Sequence, residues 1–171
     1  QAYMIYQVGA LQAFCDSYGV ALQHMKLHGA FYNTACVTPA LADAVLDGLQ
    51  AVNPNIAAMV LSGSYIAKEA ERRGIPVIQE VFADRGYTDE GTLVPRTEPG
   101  AFIKDPQEAL ERVLMMVTEG KVVTNTGNTI DIVADSVCVH GDNPEAIAFT
   151  NYIREGLTKA GVTVANFQNR K

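Results

Sequence analysis

Pro76-Val77-Ile78-Gln79-Glu80-Val81-Phe82 opens the stretch PVIQEVFADRGYTDEGTLVPRTEP (residues 76–99), and its reading decides the fold. The first seven residues, apolar and β-branched apart from Gln79 and Glu80, read as a buried strand. The chain then enters a long polar loop that closes on a Thr97-Glu98-Pro99-Gly100 turn. Seven ionisable side chains fall between the strand's end and the turn: Glu80, Asp84, Arg85, Tyr87, Asp89, Glu90 and Arg96. Loops of this length are uncommon inside a compact domain and are usually functional, because ordering each residue of irregular backbone costs about 1–2 kcal/mol. The plainer reading is a solvated surface loop. The charges begin where a buried strand ends, which favours a site.

Outward from this strand the chain alternates helix and strand. Ala2 to Tyr18 reads as a helix with Ile5, Val8, Leu11 and Cys15 on its inward face and Gly19 as its stop. Val20 to Lys26 reads as a strand running into Lys26-Leu27-His28-Gly29-Ala30-Phe31-Tyr32-Asn33. A helix follows, with Thr38 as N-cap, Pro39 at its first position and Leu41, Val45, Leu49 and Val52 turned inward. The strand Ala57 to Leu61 stops at Ser62-Gly63-Ser64, and Ser64 caps a helix that ends in Arg72, Arg73 and Gly74.

After the organising loop, Asp105 with Glu108 forms a capping-box pattern for a helix that buries Leu110, Val113, Leu114 and Val117 and stops at Gly120. Val122 to Val133 reads as a hairpin turning through Asn125-Thr126-Gly127-Asn128. Ser136 to Val139 reads as a buried strand. Pro144 opens a helix with Ala146, Phe149, Ile153 and Leu157 as its stripe, Gly161 stops it, and Val162 to Ala165 reads as a last strand. This order predicts one α/β domain over residues 1–171 with a mostly parallel sheet.

Composition narrows the function classes. The chain has 171 residues, 48% of them hydrophobic, enough for a real core. The net charge is −6, and the 13 basic residues are scattered rather than gathered in a stripe. That argues against a nucleic-acid binder. No apolar run is long enough to span a bilayer, which predicts no membrane insertion. Three widely spaced cysteines, Cys15, Cys36 and Cys138, suit packing in a reducing cytoplasm, as do Met115 and Met116.

In parallel α/β folds, ligands bind at the carboxyl ends of the strands. His28, Ser62 to Ser64, Glu80 to Arg85 and His140 to Asp142 each follow a strand directly, and we read them as one site. Each also has a plainer role. His28 is a general acid/base or metal ligand, or a histidine bonded to its own turn. Asp142 orients His140, or caps the helix at Pro144. The N–H groups of Ser62 to Ser64 suit a phosphate or carboxylate, or belong to an ordinary turn. Glu80, costly at the end of an apolar strand unless paired, either takes part in chemistry or forms an ion pair with Arg85.

Three strings carry a resemblance: Lys26-Leu27-His28-Gly29-Ala30-Phe31-Tyr32-Asn33; Glu80-Val81-Phe82-Ala83-Asp84-Arg85 with Tyr87, Asp89 and Gly91-Thr92-Leu93-Val94-Pro95-Arg96; and Val139-His140-Gly141-Asp142-Asn143-Pro144. Together they resemble the KPHGALYN, EVFADRxYxxDGxLVPR and CVHGDNP motifs of the LamB/YcsF family, the A subunits of bacterial 5-oxoprolinase. Leu27 replaces a proline, Phe31 a leucine and Glu90 an aspartate. The resemblance implies a distorted seven-stranded (β/α) barrel of the glycoside hydrolase/deacetylase type. The family's DLNxDxGE-, CGFHAGD- and GAHPSYPD-like strands do not occur, so the resemblance implies a chain that corresponds to the C-terminal portion. It further implies that a missing N-terminal segment, or a second copy in a homo-oligomer, completes the barrel.

For function, the resemblance implies ATP-dependent opening of 5-oxo-L-proline to L-glutamate in the cytoplasm, with ATP and Mg2+ as cofactors and subunits B and C as partners. His28, Glu80, Asp84, His140 and Asp142 are then the candidates for proton transfer. Lys26, Arg85 and Arg96, with Ser62 and Ser64, are the candidates for phosphate or substrate binding. No GxxxxGK[ST] motif occurs, so the nucleotide site is not of the P-loop type. The rival readings are a metal-dependent amidohydrolase or deacetylase built on His28, His140 and Asp142 without ATP, its metal unidentified, and a non-catalytic subunit that only completes a barrel.

Overall fold

A computed structural model describes residues 1–140 and 146–167. The chain divides into two compact units, Gln1–Glu80 and Val81–Lys171, with the boundary inside the organising strand.

The first unit holds α1 (Ala2–Ser17), β1 (His24–Lys26), α2 (Gly29–Val37), α3 (Pro39–Val52), β2 (Ala57–Leu61), α4 (Tyr65–Arg72) and the start of β3 (Val77–Phe82). The strands β1, β2 and β3 lie side by side in that order and run parallel, with Lys26 level with Met59, Met59 with Ile78, and Leu61 with Glu80. Ala58, Val60, Leu61 and Ile78 of the strands, Val45, Leu46 and Leu49 of α3 and Ile66 of α4 are all buried and belong to the unit's core.

Two expected stops hold. Gly19 and Gly74 both sit at positive φ, and the amides that follow them, Val20 N and Ile75 N, reach back to Cys15 O and Ala70 O. These are the six-to-one bonds of a Schellman ending. Ser64 caps α4 by accepting from Ala67 N. Arg73 at the end of α4 does more than complement the helix dipole. Its guanidinium donates to Glu69, Asp43 and Asp47 and so ties α4 to α3. The two arginines Arg72 and Arg73 hold the Glu69 carboxyl down at about 2.

Four expectations in this unit need correction. The buried residues of α1 are Met4 and Val8, while Ile5 and Leu11 are exposed and Cys15 is half-buried. The helix is apolar on every side, so periodicity could not choose its packed face. Strand β1 spans only His24–Lys26, because the bond from Val20 N back to Cys15 turns the chain aside before it can extend. The segment after His28 is a helix, α2, where the sequence reading gives only the end of a strand and a turn. Gly29 at φ 61° makes the strand-to-helix elbow, a conformation open to glycine at no steric cost. Of the expected inward residues of α3, Val45 and Leu49 are buried, but Leu41 and Val52 are only partly so.

The second unit carries the end of β3, the loop, α5 (Pro106–Leu114) extended by a π-helical turn (Met115–Glu119), β4 (Lys121–Val123), β5 (Thr129–Asp131), β6 (Ser136–Cys138) and α6 (Ala146–Lys159). Asp105 caps α5 by accepting from Gln107 N, and Gly120 ends the π turn in the left-handed conformation. Strands β4 and β5 form the expected antiparallel hairpin. Ala83 N donates to Cys138 O, which sets β6 beside the end of β3. Ala83, Ala109, Val113, Ile153 and Leu157 form this unit's core.

The loop after β3 is far from solvated: Ala83, Arg85, Gly86, Tyr87 and Val94 are buried. Isolated bridges join Arg85 to Phe102 and Tyr87 to Leu93. A Cβ on Gly86 would lie 2.0 Å from Gly100 O, so only glycine lets the two backbones cross there. Two expectations fail. Strand β6 is half-buried rather than buried, and residues 162–165 form no strand, with Val162 N spent on capping α6 through Leu157 O. The expected helix start at Pro144 lies outside the described residues.

Candidate functional site

The register of the first unit explains its polar cluster. Lys26 is level with Ile78 through Met59, and Glu80 lies two residues further along on the same face of β3. The Lys26 side chain therefore points toward Glu80 across β2, and Nζ donates to Oε1 at 2.5 Å. Tyr32, one turn into α2, donates its hydroxyl to the other oxygen, Oε2, at 2.8 Å. The Lys26 ammonium also lies 5.8 Å from the Tyr32 ring centroid. Glu80 is 1% exposed, so this pairing is what makes a carboxylate tolerable at the end of an apolar strand. The expected partner, Arg85, is replaced by Lys26 and Tyr32.

Lys26 also lines a cavity of about 390 Å³ with Leu22, His24, Leu27, His28 and Phe31. His28 is the N-cap residue of α2, with an extended backbone, an exposed side chain and no side-chain capping bond. Of its possible roles, bonding its own helix start is therefore not the one adopted. The amides offered for phosphate binding are already used: Ser62 N donates to Glu80 O, Gly63 N to Gln79 Oε1 and Ser64 N to Leu61 O. The Ser64 hydroxyl donates to Leu61 O and caps α4, so Ser62 and Ser64 serve the turn. Cys36 is buried, and burial pushes its thiol up to about 11, as packing predicts.

In the second unit, Asp84 follows β3 and His140 follows β6. Asp84 Oδ2 and His140 Nδ1 are 2.7 Å apart, and the Phe82 ring stacks on the imidazole with centroids 5.8 Å apart. With the carboxylate accepting, Nδ1–H is the donor of this bond, which leaves Nε2 as the ring nitrogen available to a ligand. The other carboxylate oxygen, Asp84 Oδ1, is buried with no hydrogen-bond partner among the described residues. Asp142 lies outside the described residues.

Arg85 is 3% exposed and donates Nε to Ala101 O and Nη2 to Val94 O. Its guanidinium and that of exposed Arg96 lie 5.2 and 5.6 Å from the centroid of the Phe102 ring. Tyr87 accepts from Phe82 N and is fully buried. Asp89 accepts from Thr124, Thr126 and Asn128, which hold its carboxyl below the usual range and pin the loop to the hairpin turn.

Sequence reasoning missed Tyr32 and Phe102. Tyr32 falls four residues after His28, a helical spacing visible only once the segment is known to be a helix. Among the described residues, no three His, Cys, Asp or Glu side chains group closely enough to hold a metal ion. No single helix among them is long and apolar enough to cross a membrane.

Comparison with known proteins places these residues in context. The sequence model of the LamB/YcsF family matches residues 1–171. The chain is 57% identical over 164 residues to the A subunit of 5-oxoprolinase from Fusobacterium nucleatum, covering 96% of this chain and 64% of that protein. It is 47% identical to the protein of the same name from Pyrococcus abyssi, covering 95% of this chain and 64% of the relative. The crystal structure of a lactam utilization protein from Thermus thermophilus superposes with a TM-score of 0.87 at 40% identity, covering 97% of this chain and 66% of that one. The chain thus spans somewhat less than two thirds of the length of the relatives it matches.

Proposed function

The chain belongs to the LamB/YcsF family, and on that premise we propose that it acts in the ATP-dependent hydrolysis of 5-oxo-L-proline to L-glutamate, as the A component of a multi-subunit 5-oxoprolinase with subunits B and C. The observation that carries the reading is the Asp84–His140 pair, a base oriented by a carboxylate whose second oxygen is buried and has no partner among the described residues.

An unstrained five-membered lactam is a stable amide, so its carbonyl must be activated. Transfer of the ATP γ-phosphoryl group to the carbonyl oxygen makes that oxygen a leaving group and releases ADP. Water then adds to the same carbon as His140 Nε2 takes its proton, giving a tetrahedral adduct that still carries the phosphate. Ring opening moves the C–N electron pair onto nitrogen, which takes up a proton and becomes the amine of glutamate, and a second water attacks the acyl phosphate left behind, breaking its bond to phosphate and releasing the carboxylate and inorganic phosphate. Asp84 stabilises the imidazolium that forms. Mg2+ usually keeps several waters and takes only one or two carboxylates beside the phosphates. Asp84, with its unpartnered Oδ1, fits that demand.

In the first unit, Glu80 and Tyr32 hold the Lys26 ammonium at the cavity, where it serves an anion or a developing negative charge. His28 lines the same cavity as a second proton carrier. A reaction that consumes ATP belongs in the cytoplasm. β1 is the end strand of its sheet, and the seven-stranded barrel proposed for the complete protein would pair it with further polypeptide or with a second copy. Sedimentation of this chain alone as a stable, fully active monomer would overturn that part.

The reading is tested by assaying the complete complex on 5-oxo-L-proline. Glutamate and inorganic phosphate should appear in equal amounts and only with ATP. Turnover that needs no nucleotide would instead favour the metal-dependent amidohydrolase.

A further inference from the structure

Arginine is treated in two ways in this protein. Arg73, whose side chain is 17% exposed, faces three carboxylates: Glu69, Asp43 and Asp47. That is how a chain neutralises a partly buried cation it uses for structure. Arg85 is more deeply buried, yet its two bonds go to neutral carbonyls, Ala101 O and Val94 O. Its sequence neighbour Asp84 is engaged with His140. Its third nitrogen, Nη1, has no partner among the described residues. The second cation, Arg96, shares the Phe102 ring with it.

Burial first, and Arg96 second, hold the Arg85 pKa below its ordinary value, so the positive charge is disfavoured where it stands. A cation–π contact contributes only about 0.5–2 kcal/mol and does not remove like-charge repulsion. The arrangement is nonetheless rigidly built. Gly86 N donates to Ala101 O, Val94 N donates to Gly86 O, and the Gly86–Gly100 crossing leaves no room for a side chain. Arg85 spends Nε and Nη2 on backbone carbonyls and keeps Nη1, and the exposed Arg96 guanidinium stands on the same Phe102 ring; such N–H donors are what carboxylates and phosphates accept.

We propose that Arg85 and Arg96, set on Phe102, form an oxyanion-binding site that takes either the phosphate of a nucleotide or the carboxylate of the lactam substrate. This rests on the 5-oxoprolinase reading only for the identity of the two oxyanions; the site itself follows from the three side chains.

The test is binding without turnover, on the full chain. Thermal midpoints are followed against inorganic phosphate and, separately, against 5-oxo-L-proline, with chloride keeping ionic strength constant. The arginine side-chain Nε–H resonances are read in the same titrations. The expected result is a saturable rise in midpoint with at least one oxyanion, with shifts at Arg85 and Arg96 but not at Arg72 or Arg73. Binding should weaken about tenfold or more in R96Q, which changes only an exposed residue. R85K, which keeps the charge and loses the fork, should weaken it as well; if that variant does not fold, R96Q and the resonances decide alone. A response to phosphate only assigns the nucleotide phosphate, and one to the lactam only assigns the substrate carboxylate. No saturable rise with either, or full binding by R96Q, would overturn the proposal. A complex that binds the oxyanion but fails to hydrolyse the lactam would remove the activity reading and leave this site standing.

Discussion

Two carboxylates, buried Glu80 in the first unit and half-buried Asp84 in the second, are wired differently. Glu80 has both oxygens engaged, Oε1 by the Lys26 ammonium and Oε2 by the Tyr32 hydroxyl. Asp84 has one oxygen on His140 and the other without a partner among the described residues. A carboxylate with both oxygens engaged holds its partners in place, whereas one with an unused buried oxygen is ready for a water, a proton or a cation. The difference teaches that burial alone does not mark a reacting group. Unspent hydrogen-bonding capacity is the better sign.

The largest effect that could break this comparison lies at His140. H140Q keeps a hydrogen-bonding side chain but removes the base, and 5-oxoprolinase turnover of the complete complex should fall by about 10²–10⁴-fold with an unchanged melting temperature. Turnover within a few-fold of the parent protein would show that the second unit's pair is structural. E80Q addresses the first unit. It leaves the partly buried Lys26 ammonium without its counter-charge, so unfolding free energy in denaturant should drop by about 3–5 kcal/mol. Full stability combined with lost turnover would reverse the roles assigned to the two carboxylates.

Y32F sharpens the same point more gently. It removes one donor from a buried oxygen and should cost about 1–3 kcal/mol, measured by the same unfolding experiment. The smallest expected effect concerns Asp89. Its three donors lower the folded carboxyl pKa below the unfolded value of 3.8, so its stabilisation is present above that pH and is lost as pH falls through the folded pKa. The melting temperature should therefore decline less steeply below pH 3.8 in D89N than in the parent. Parallel acid limbs would show that the loop is not pinned through this charge.

The sequence alone determined the features whose cause is local. Gly19, Gly74 and Gly161 stop their helices at positive φ, Pro39 and Pro106 open theirs, and Asp105 and Ser64 cap the turns that follow them. Each depends on backbone sterics or a hydrogen bond within a few residues, so no knowledge of the rest of the chain is needed. Strand-end placement and the family motifs likewise brought Asp84 and His140 into the same short set of candidates.

Only the tertiary structure decided which side chains meet. The sequence separations of 54 from Lys26 to Glu80 and of 48 from Tyr32 to Glu80 are bridged by the register of β1 on β2 and β2 on β3. A one-residue slip in either pairing would send Lys26 to the opposite face. The same holds for α1, apolar on all sides, whose packed face is chosen by α3: a Cβ on Gly48 would lie 2.6 Å from Met4 Cβ. Arg85 shows the limit most plainly. Its sequence offered Glu80 as the natural partner, and the fold gave it two carbonyls and an aromatic ring, because the backbone crossing at Gly86 carries Ala101 and Val94 to it.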